Sequence, residues 1–137
     1  MYRYLDKTWQ EYYSKKPEQY RALLIKWRSE PTIHREERPI RLDKARKIGY
    51  RAKGGFIAVM AKVSKGGMNI HVPTSGRRPK HYGAKKISGV RNAKLIAIER
   101  VKKRYKNMKV MGAYYLGEDG NHKWFEVVLK DEHLLPE

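Results

Sequence analysis

The residues of this chain whose chemistry stands out are lysines and arginines that occur without acidic partners. Between Lys44 and Ile98 there are fourteen basic residues and no aspartate or glutamate. Arginine binds phosphate oxygens through paired N–H groups, and lysine supplies a mobile positive charge. A solvated surface usually mixes charges of both signs. The stretch therefore predicts contact with a polyanion, and nucleic acid is the first candidate.

The total charge supports the same prediction. The 137 residues carry 32 Lys plus Arg against 14 Asp plus Glu, a net charge of +18. Solubility of a small domain requires only about 2 to 8 net charges. Residues 1–43 carry only +3 and residues 99–137 only +1, so nearly all the excess lies in the central stretch. Because such an excess repels itself in the folded protein, we expect a polyanionic partner to neutralise it.

An anionic membrane is the weaker candidate for that partner. No apolar stretch approaches the roughly 20 residues that a membrane span needs. The N-terminal sequence MYRYLDKTWQEYY also lacks the apolar run of a signal peptide. We therefore expect a cytoplasmic protein that contacts no membrane.

The sequence offers no motif for binding a cofactor, a metal or a small-molecule substrate. The glycines do not have the spacing of a GxxxxGK[ST] phosphate loop or of GxGxxG, and the five histidines form no HExxH pair. There is no cysteine. The acid-free central stretch also lacks carboxylates to hold Mg²⁺ for a two-metal nuclease. We expect a protein without a cofactor or a metal, and not an enzyme.

Two histidines and two tyrosines each have more than one possible role. His71 and His81 lie among basic residues, where two histidines could cleave RNA by general acid and base catalysis. The favoured interpretation is that they add hydrogen bonds or stacking to RNA that is already bound. Tyr50 and Tyr82 could stack on unpaired bases, or they could pack within the protein.

The first thirty residues show the spacing of two short helices. Apolar residues recur at steps of three and four, first up to Tyr13 and again from Tyr20 to Trp27. Pro17 suits the first turn of the second helix, and Pro31 ends it. Aromatic residues at helical spacing are more often core than base-stacking residues, so we expect this stripe to be buried.

The middle of the chain has less regular patterning. Residues 29–48 alternate proline, charge and single apolar residues, which predicts an extended segment ending in a short turn at 43–47. The extended basic arm as a whole is assigned to residues 31–55. Residues 56–63 have apolar side chains on both faces, which indicates an inner strand. Residues 64–91 form a long basic loop rich in glycine. Such a loop is uncommon in a small domain unless it is functional or disordered, so we expect it to become ordered on its ligand.

The last third predicts a helix and a hairpin. Residues 92–104 should form a third helix with Leu95, Ile98 and Val101 inward. Residues 109–116 and 122–129 are rich in strand-forming residues, and the segment between them accepts the backbone angles of a tight connection. The fold class expected for residues 1–137 is a single α+β domain, with a small, mostly antiparallel sheet, about three helices and the basic loop.

Two separated segments resemble a known family. RLDKARKIGYRAKGGFIAVMAKVSKGG, residues 41–67, is similar to a segment of the archaeal and eukaryotic large-subunit ribosomal protein numbered fifteen in eukaryotic-type naming. Asp-Lys-Ala-Arg, Gly-Tyr-x-Ala-Lys and Gly-Gly occur there in order. VMGAYYLGEDGNHKWFEVVLKDEH, residues 110–133, resembles that family's Tyr-x-x-Gly-Glu-Asp and Phe-Glu-Val motif. The resemblance covers essentially the whole chain.

The resemblance implies a structural protein embedded in large-subunit ribosomal RNA, with a small α+β body and neighbouring ribosomal proteins as further partners. It implies RNA contacts at Lys44, Arg46, Lys47, Arg51, Lys53, Arg77, Arg78, Lys80, Lys85, Lys86 and Arg91. Lys65 and His81 join them because they lie in the same basic loop. The family comparison also implies that Asp43 orders its turn and that Glu118, Asp119 and Glu126 are structural.

The chain departs from the family pattern at two places. Members usually continue into a basic, glycine-rich tail, whereas this sequence stops at Glu137, so contacts of the tail are not assigned. Met60, Val63 and Ser64 occupy a region that is often rich in arginine. We therefore do not expect that strand to contact RNA.

Three functions remain in view from the sequence. The leading hypothesis is a structural constituent of the large ribosomal subunit, located in the cytoplasm, that binds folded ribosomal RNA through phosphate contacts. The second is a non-ribosomal architectural protein that binds DNA or RNA. The third is a ribonuclease or RNA-modifying enzyme that uses His71 or His81.

Overall fold

The computed structural model describes residues 2–67, 71–72, 74–78, 80, 83, 89 and 91–134. Four helices and four strands follow in the order α1 (Tyr2–Lys15), α2 (Glu18–Ser29), β1 (Ile33–Glu36), α3 (Leu42–Lys47), β2 (Phe56–Ser64), α4 (Ala93–Arg104), β3 (Met108–Glu118) and β4 (His122–Asp131). The α+β fold class is confirmed.

The four strands form one antiparallel sheet in the order β1-β2-β4-β3. β2 lies between β1 and β4, as its two apolar faces predicted. Met60 and Val63 in β2 are buried, whereas Ser64 at the end of the strand is exposed. β3 and β4 form the predicted hairpin, with the turn between Glu118 and His122.

Each face of the sheet carries its own hydrophobic core. Because side chains alternate along a strand, Trp124 and Val128 point to one face of β4, and Phe125 and Val127 point to the other. The first face is covered by α1, α2 and α3, which bury Trp9, Tyr20, Trp27 and Ala45 there. The second face is covered by α4. Most of the aromatic stripe of the first thirty residues is therefore core, as predicted, but Tyr2 at its start is 41% exposed.

The prediction for the inward face of α4 was wrong in part. Val101 is fully buried, but Leu95 is 45% exposed, and Ala97 faces the sheet in its place. Ala97 and Val101 are four residues apart and share one face of the helix. Ile98 also packs against the core on this second face of the sheet, so the prediction failed only at Leu95.

The segment predicted as an extended arm contains two short elements. β1 pairs with β2 through Ile33 opposite Ala61 and Glu36 opposite Ala58. The short turn after it is a helix of six residues, α3. Neither element has a recognisable hydrophobic pattern in the sequence. β1 is an edge strand of mostly polar residues, and α3 is too short to show a helical repeat. No helix in the described part of the chain has the length and apolar content of a membrane span.

Candidate nucleic-acid interface

α3 is attached to the sheet through one buried carboxylate. Glu126 on β4 is fully buried, and its carboxylate accepts hydrogen bonds from the backbone N–H of Ile40 at 3.1 Å and of Arg41 at 3.5 Å. The Tyr114 hydroxyl donates to the same carboxylate at 2.7 Å. Buried polar groups are stabilising only when they are paired in this way. Glu126 thus fixes the chain where it enters α3.

Burial raises the pKa of Glu126 to about 7, and the hydrogen bonds from Tyr114 and from the two backbone N–H groups oppose that rise. Burial, together with the nearby Glu126 charge, also raises the pKa of Tyr114. Tyr114 therefore stays protonated and can donate. Because the folded state favours the protonated form of Glu126, this carboxyl links the stability of the fold to pH.

A buried ion pair connects α1 to the start of α3. The Arg41 guanidinium donates to Asp43 at 2.6 Å and 3.3 Å, to Asp6 at 2.9 Å and to the Tyr13 hydroxyl at 3.2 Å. Arg41 is 4% exposed and Asp43 is 2% exposed. The Arg41 guanidinium also lies 5.2 Å from the centre of the Trp9 ring. Arg41 is therefore a structural residue, and Asp43 orders its turn as expected.

The basic residues after this ion pair lie on the outside of the protein. Arg46 and Lys47 are exposed on α3, Arg51 and Lys53 are exposed in the following turn, and Lys44 is half-buried. We call Lys44, Arg46, Lys47, Arg51 and Lys53 the α3 surface. The structure brings all five together on one short segment whose buried side is fixed to the core.

Close packing against β3 holds the C-terminal end of α3. Gly49 has a φ of +102°, a backbone conformation that favours glycine, and it lets the chain turn after the helix. Ile48 rests on Gly112, where an added Cβ would lie 2.8 Å from the Ile48 Cγ2. Tyr50 is buried and meets Phe56 edge to face at 6.2 Å. Of the two interpretations of Tyr50, packing within the protein is the one that the structure supports.

Two other predicted contact residues already have partners in the protein. Lys65 donates to the Asp119 carbonyl at 2.6 Å and forms an ion pair with Glu118 at 3.1 Å. Arg91 forms an ion pair with Glu99 at 3.0 Å, and both side chains of that pair are largely exposed. These pairs attach the two ends of the basic loop to the body of the domain. Sequence reasoning did not identify them, because their acidic partners lie outside the central stretch.

The remaining predicted residues belong to the loop itself. Arg77, Arg78 and Lys80 are exposed, as is His71. The predicted contacts His81, Lys85 and Lys86 lie outside the described residues, and so does Tyr82. The structure therefore assembles the α3 surface but does not relate it to the loop.

One cluster has the residue types of a metal site. Glu30, His34 and Glu36 each offer a ligand atom, and these atoms lie within 4.8 Å of one another. The His34 Nε2 lies 2.9 Å from an oxygen of each carboxylate, and its Nδ1 is 3.3 Å from the Pro31 carbonyl oxygen. These contacts link the residue that follows α2 to the edge strand β1, and the Glu30 Oε2 atom is buried without a hydrogen-bond partner.

In a comparison with known protein families, residues 1–135 match the model of a family described as Ribosomal L15. The chain is 42% identical over 132 residues to the large ribosomal subunit protein eL15 of Metallosphaera sedula. That match covers 96% of this chain and 61% of the relative, so the chain spans about three fifths of the relative's length.

Proposed function

Since this chain belongs to the Ribosomal L15 family, we propose that it is a structural constituent of the large ribosomal subunit in the cytoplasm, where it binds folded ribosomal RNA. Its partners are that RNA and neighbouring proteins of the subunit. It acts on no small-molecule substrate and contacts no membrane.

The α3 surface is the observation that carries this proposal. Arg46, Lys47 and Arg51 are exposed, and no described carboxylate lies within 4.0 Å of their charged groups. The Asp6 carboxylate on α1 already accepts from Arg41 and lies 3.9 Å from the Lys44 amino group. The positive charge of the surface is therefore available to an external anion. Regularly spaced phosphates of a nucleic-acid backbone fit a row of such residues.

The shape of the α3 surface favours recognition of the RNA backbone over recognition of base sequence. α3 has only six residues, so it is too short to follow a groove. Tyr50, which follows α3, is buried and cannot stack on a base. Double-stranded RNA is recognised mainly through shape and backbone contacts, because its major groove is deep and narrow. The proposed phosphate contacts fix the position and orientation of the protein on the RNA, and they do not distinguish one base sequence from another.

The sequence alone also allowed a non-ribosomal architectural protein and a ribonuclease or RNA-modifying enzyme. Competition binding and a cleavage assay distinguish these two functions from a ribosomal protein. A labelled fragment of large-subunit ribosomal RNA is bound at fixed salt, and unlabelled RNA or DNA is added. Preference for folded ribosomal RNA supports the proposal, whereas equal competition by duplex DNA supports a general architectural protein. RNA cleavage that is abolished by replacing both His71 and His81 would support the enzyme, and intact RNA after prolonged incubation argues against it.

A further inference from the structure

Three side chains of the types that bind metals meet at one edge of the sheet. Glu30 directly follows α2, and His34 and Glu36 lie on the edge strand β1. We call these three residues the edge cluster. His34 and Glu36 are two residues apart, so their side chains point to the same face of the sheet. His34 is paired with Met60, which belongs to the core beneath α1, α2 and α3, so the edge cluster lies on the face that those helices cover.

The ligand atoms of the edge cluster converge on one small space. One atom from each residue lies within 4.8 Å of the other two. The His34 Nε2 atom lies 2.9 Å from Glu30 Oε2 and 2.9 Å from Glu36 Oε1. The three side chains are only 19 to 21% exposed, so little water reaches them. Two carboxylates this close together repel each other unless a cation lies between them.

The orientation of the His34 ring favours the tautomer that binds a metal. Its Nδ1 atom lies 3.3 Å from the Pro31 carbonyl oxygen, which can accept a hydrogen bond but cannot donate one. A proton on Nδ1 leaves the Nε2 lone pair of the neutral imidazole facing the two carboxylates. Histidines that bind metals almost always donate their second ring N–H to a carbonyl or a carboxylate in this way. His34 therefore has both the inner and the outer contacts of a metal ligand.

A proton on the His34 Nε2 atom would satisfy only one of the two carboxylates. A single N–H group donates along one direction, and the Glu36 Oε1 atom has the geometry to accept that hydrogen bond. The Glu30 Oε2 atom lies at the same distance, but it is buried without a hydrogen-bond partner among the described residues. Buried polar atoms without a partner are rare in proteins. A metal ion accepts lone pairs from several directions, so it would satisfy both carboxylates at once.

The donor atoms of the edge cluster select the class of metal. One imidazole nitrogen with carboxylate oxygens suits Zn²⁺ and similar divalent transition metals, whereas Mg²⁺ and Ca²⁺ prefer oxygen ligands alone. Ligands of this kind lie about 2.0 to 2.2 Å from Zn²⁺, so tetrahedral coordination places them about 3.3 Å apart. The 2.9 Å contacts of His34 would therefore open by about 0.4 Å, which rotation of the two glutamate side chains allows. Three protein ligands leave a fourth position for water.

We propose that Glu30, His34 and Glu36 bind one divalent transition-metal ion of the Zn²⁺ class, which joins the end of α2 to the edge strand β1. β1 has only four residues and pairs with one neighbour, so a metal bond at this edge would stabilise it. The spacing of the three ligands matches no established metal motif, which is why the sequence predicted no metal. None of them belongs to the α3 surface, so this proposal can be tested separately from RNA binding.

Calorimetric titration of the whole chain with ZnCl₂, after bound metals are removed with a chelator, tests this proposal. We expect one Zn²⁺ ion per chain. At free Zn²⁺ of about one hundred times the dissociation constant, Tm should rise by about 5 °C or more, because the ion binds only the folded site. MgCl₂ at the same concentration should leave Tm unchanged. Absence of Zn²⁺ binding, or Mg²⁺ binding of equal strength, would overturn the proposal.

Two single substitutions, His34→Gln and Glu36→Gln, each remove one ligand of the edge cluster. Each should weaken Zn²⁺ binding by at least about tenfold to a hundredfold, since even the loss of an outer hydrogen-bond partner has an effect of that size. His133→Gln is the matched control, because it removes an exposed histidine outside the cluster. It should bind Zn²⁺ like the unmodified chain. Thermal unfolding of each variant in chelator shows whether it is folded without metal.

Comparison of Tm in chelator and in Zn²⁺ distinguishes a metal site from a simple ion pair. If His34 only forms an ion pair with the two glutamates, His34→Gln lowers Tm equally in both conditions, and the proposal is wrong. If it is a ligand, the rise in Tm caused by Zn²⁺ is lost in the variant. Should His34→Gln fail to fold, Glu36→Gln provides the same comparison, because glutamine keeps the size of the side chain and an accepting oxygen. A site variant that binds Zn²⁺ as tightly as the control would also reject the proposal.

Discussion

Removal of the Arg41 side chain tests whether a buried ion pair positions the α3 surface. In Arg41→Met the Asp43 carboxylate, 2% exposed, loses a bidentate partner at 2.6 Å and 3.3 Å. Breaking a buried pair by removing one partner costs about 3 to 5 kcal/mol, because the remaining charge is left without compensation. This is a large share of the roughly 5 to 15 kcal/mol by which domains of this size are stable.

Denaturant unfolding followed by tryptophan fluorescence measures this loss. The midpoint should fall with little change in slope, and Tm should fall by more than about 10 °C. Arg46→Met is the matched control, since it removes an exposed arginine from α3, the helix that Arg41 precedes, and should change the free energy of unfolding by no more than about 0.5 kcal/mol.

A double variant tests whether the uncompensated Asp43 charge causes the loss of stability. Arg41→Met combined with Asp43→Asn removes both charges of the pair, so it should be more stable than Arg41→Met alone by about 1 kcal/mol or more. A loss of less than about 1 kcal/mol in the single variant would show that Asp43 does not depend on Arg41 for compensation of its charge. So would a double variant whose loss equals the sum of the two single losses.

Three further predictions follow from other contacts. Burial raises the pKa of Glu126 to about 7, so between about pH 4.5 and pH 7 the folded state holds a proton that the unfolded state has released. The contribution of Glu126 to the free energy of unfolding should therefore fall as the pH rises through that range. Unfolding titrations across that range should show a flatter profile for Glu126→Gln, and identical profiles would contradict the assignment. In Gly117→Ala the added methyl group would collide with a buried tyrosine hydroxyl, so the free energy of unfolding should fall by about 1 to 3 kcal/mol, whereas Gly120→Ala, with open space around it, should be neutral. Arg46→Gln with Lys47→Gln should weaken binding to all RNA duplexes alike and reduce the slope of log affinity against log salt by roughly 2, and an unchanged slope would remove these residues from the interface.

Strong local patterns allowed much of the fold to be predicted from the sequence. The aromatic residues of α1 and α2 recur at helical spacing, and the hairpin of β3 and β4 has alternating residues around a tight turn. β1 could not be predicted, because Ile33 to Glu36 become a strand only through pairing with β2. The exposure of Leu95 in α4 was also missed, because helical spacing alone does not show that the smaller Ala97 is buried instead.

The candidate interface was only partly predictable for a similar reason. The sequence RLDKARK shows four basic residues, but spacing alone does not reveal that Arg41 is buried while Arg46 and Lys47 are exposed. Lys65 has acidic partners that are distant in sequence, in the hairpin turn. The net charge of residues 99–137 is close to zero, but their acidic and basic groups lie at different places in the fold. The charge count of this segment therefore does not describe any one surface.

Sedimentation of native cell extract tests whether this chain works inside the large ribosomal subunit. The extract is washed with moderate salt and separated on a sucrose gradient, and the protein is followed in every fraction. We expect it to migrate with the large subunit and to stay there until the salt is high enough to screen phosphate contacts. Migration as a free protein, or together with DNA, would show that it is not a constituent of the subunit.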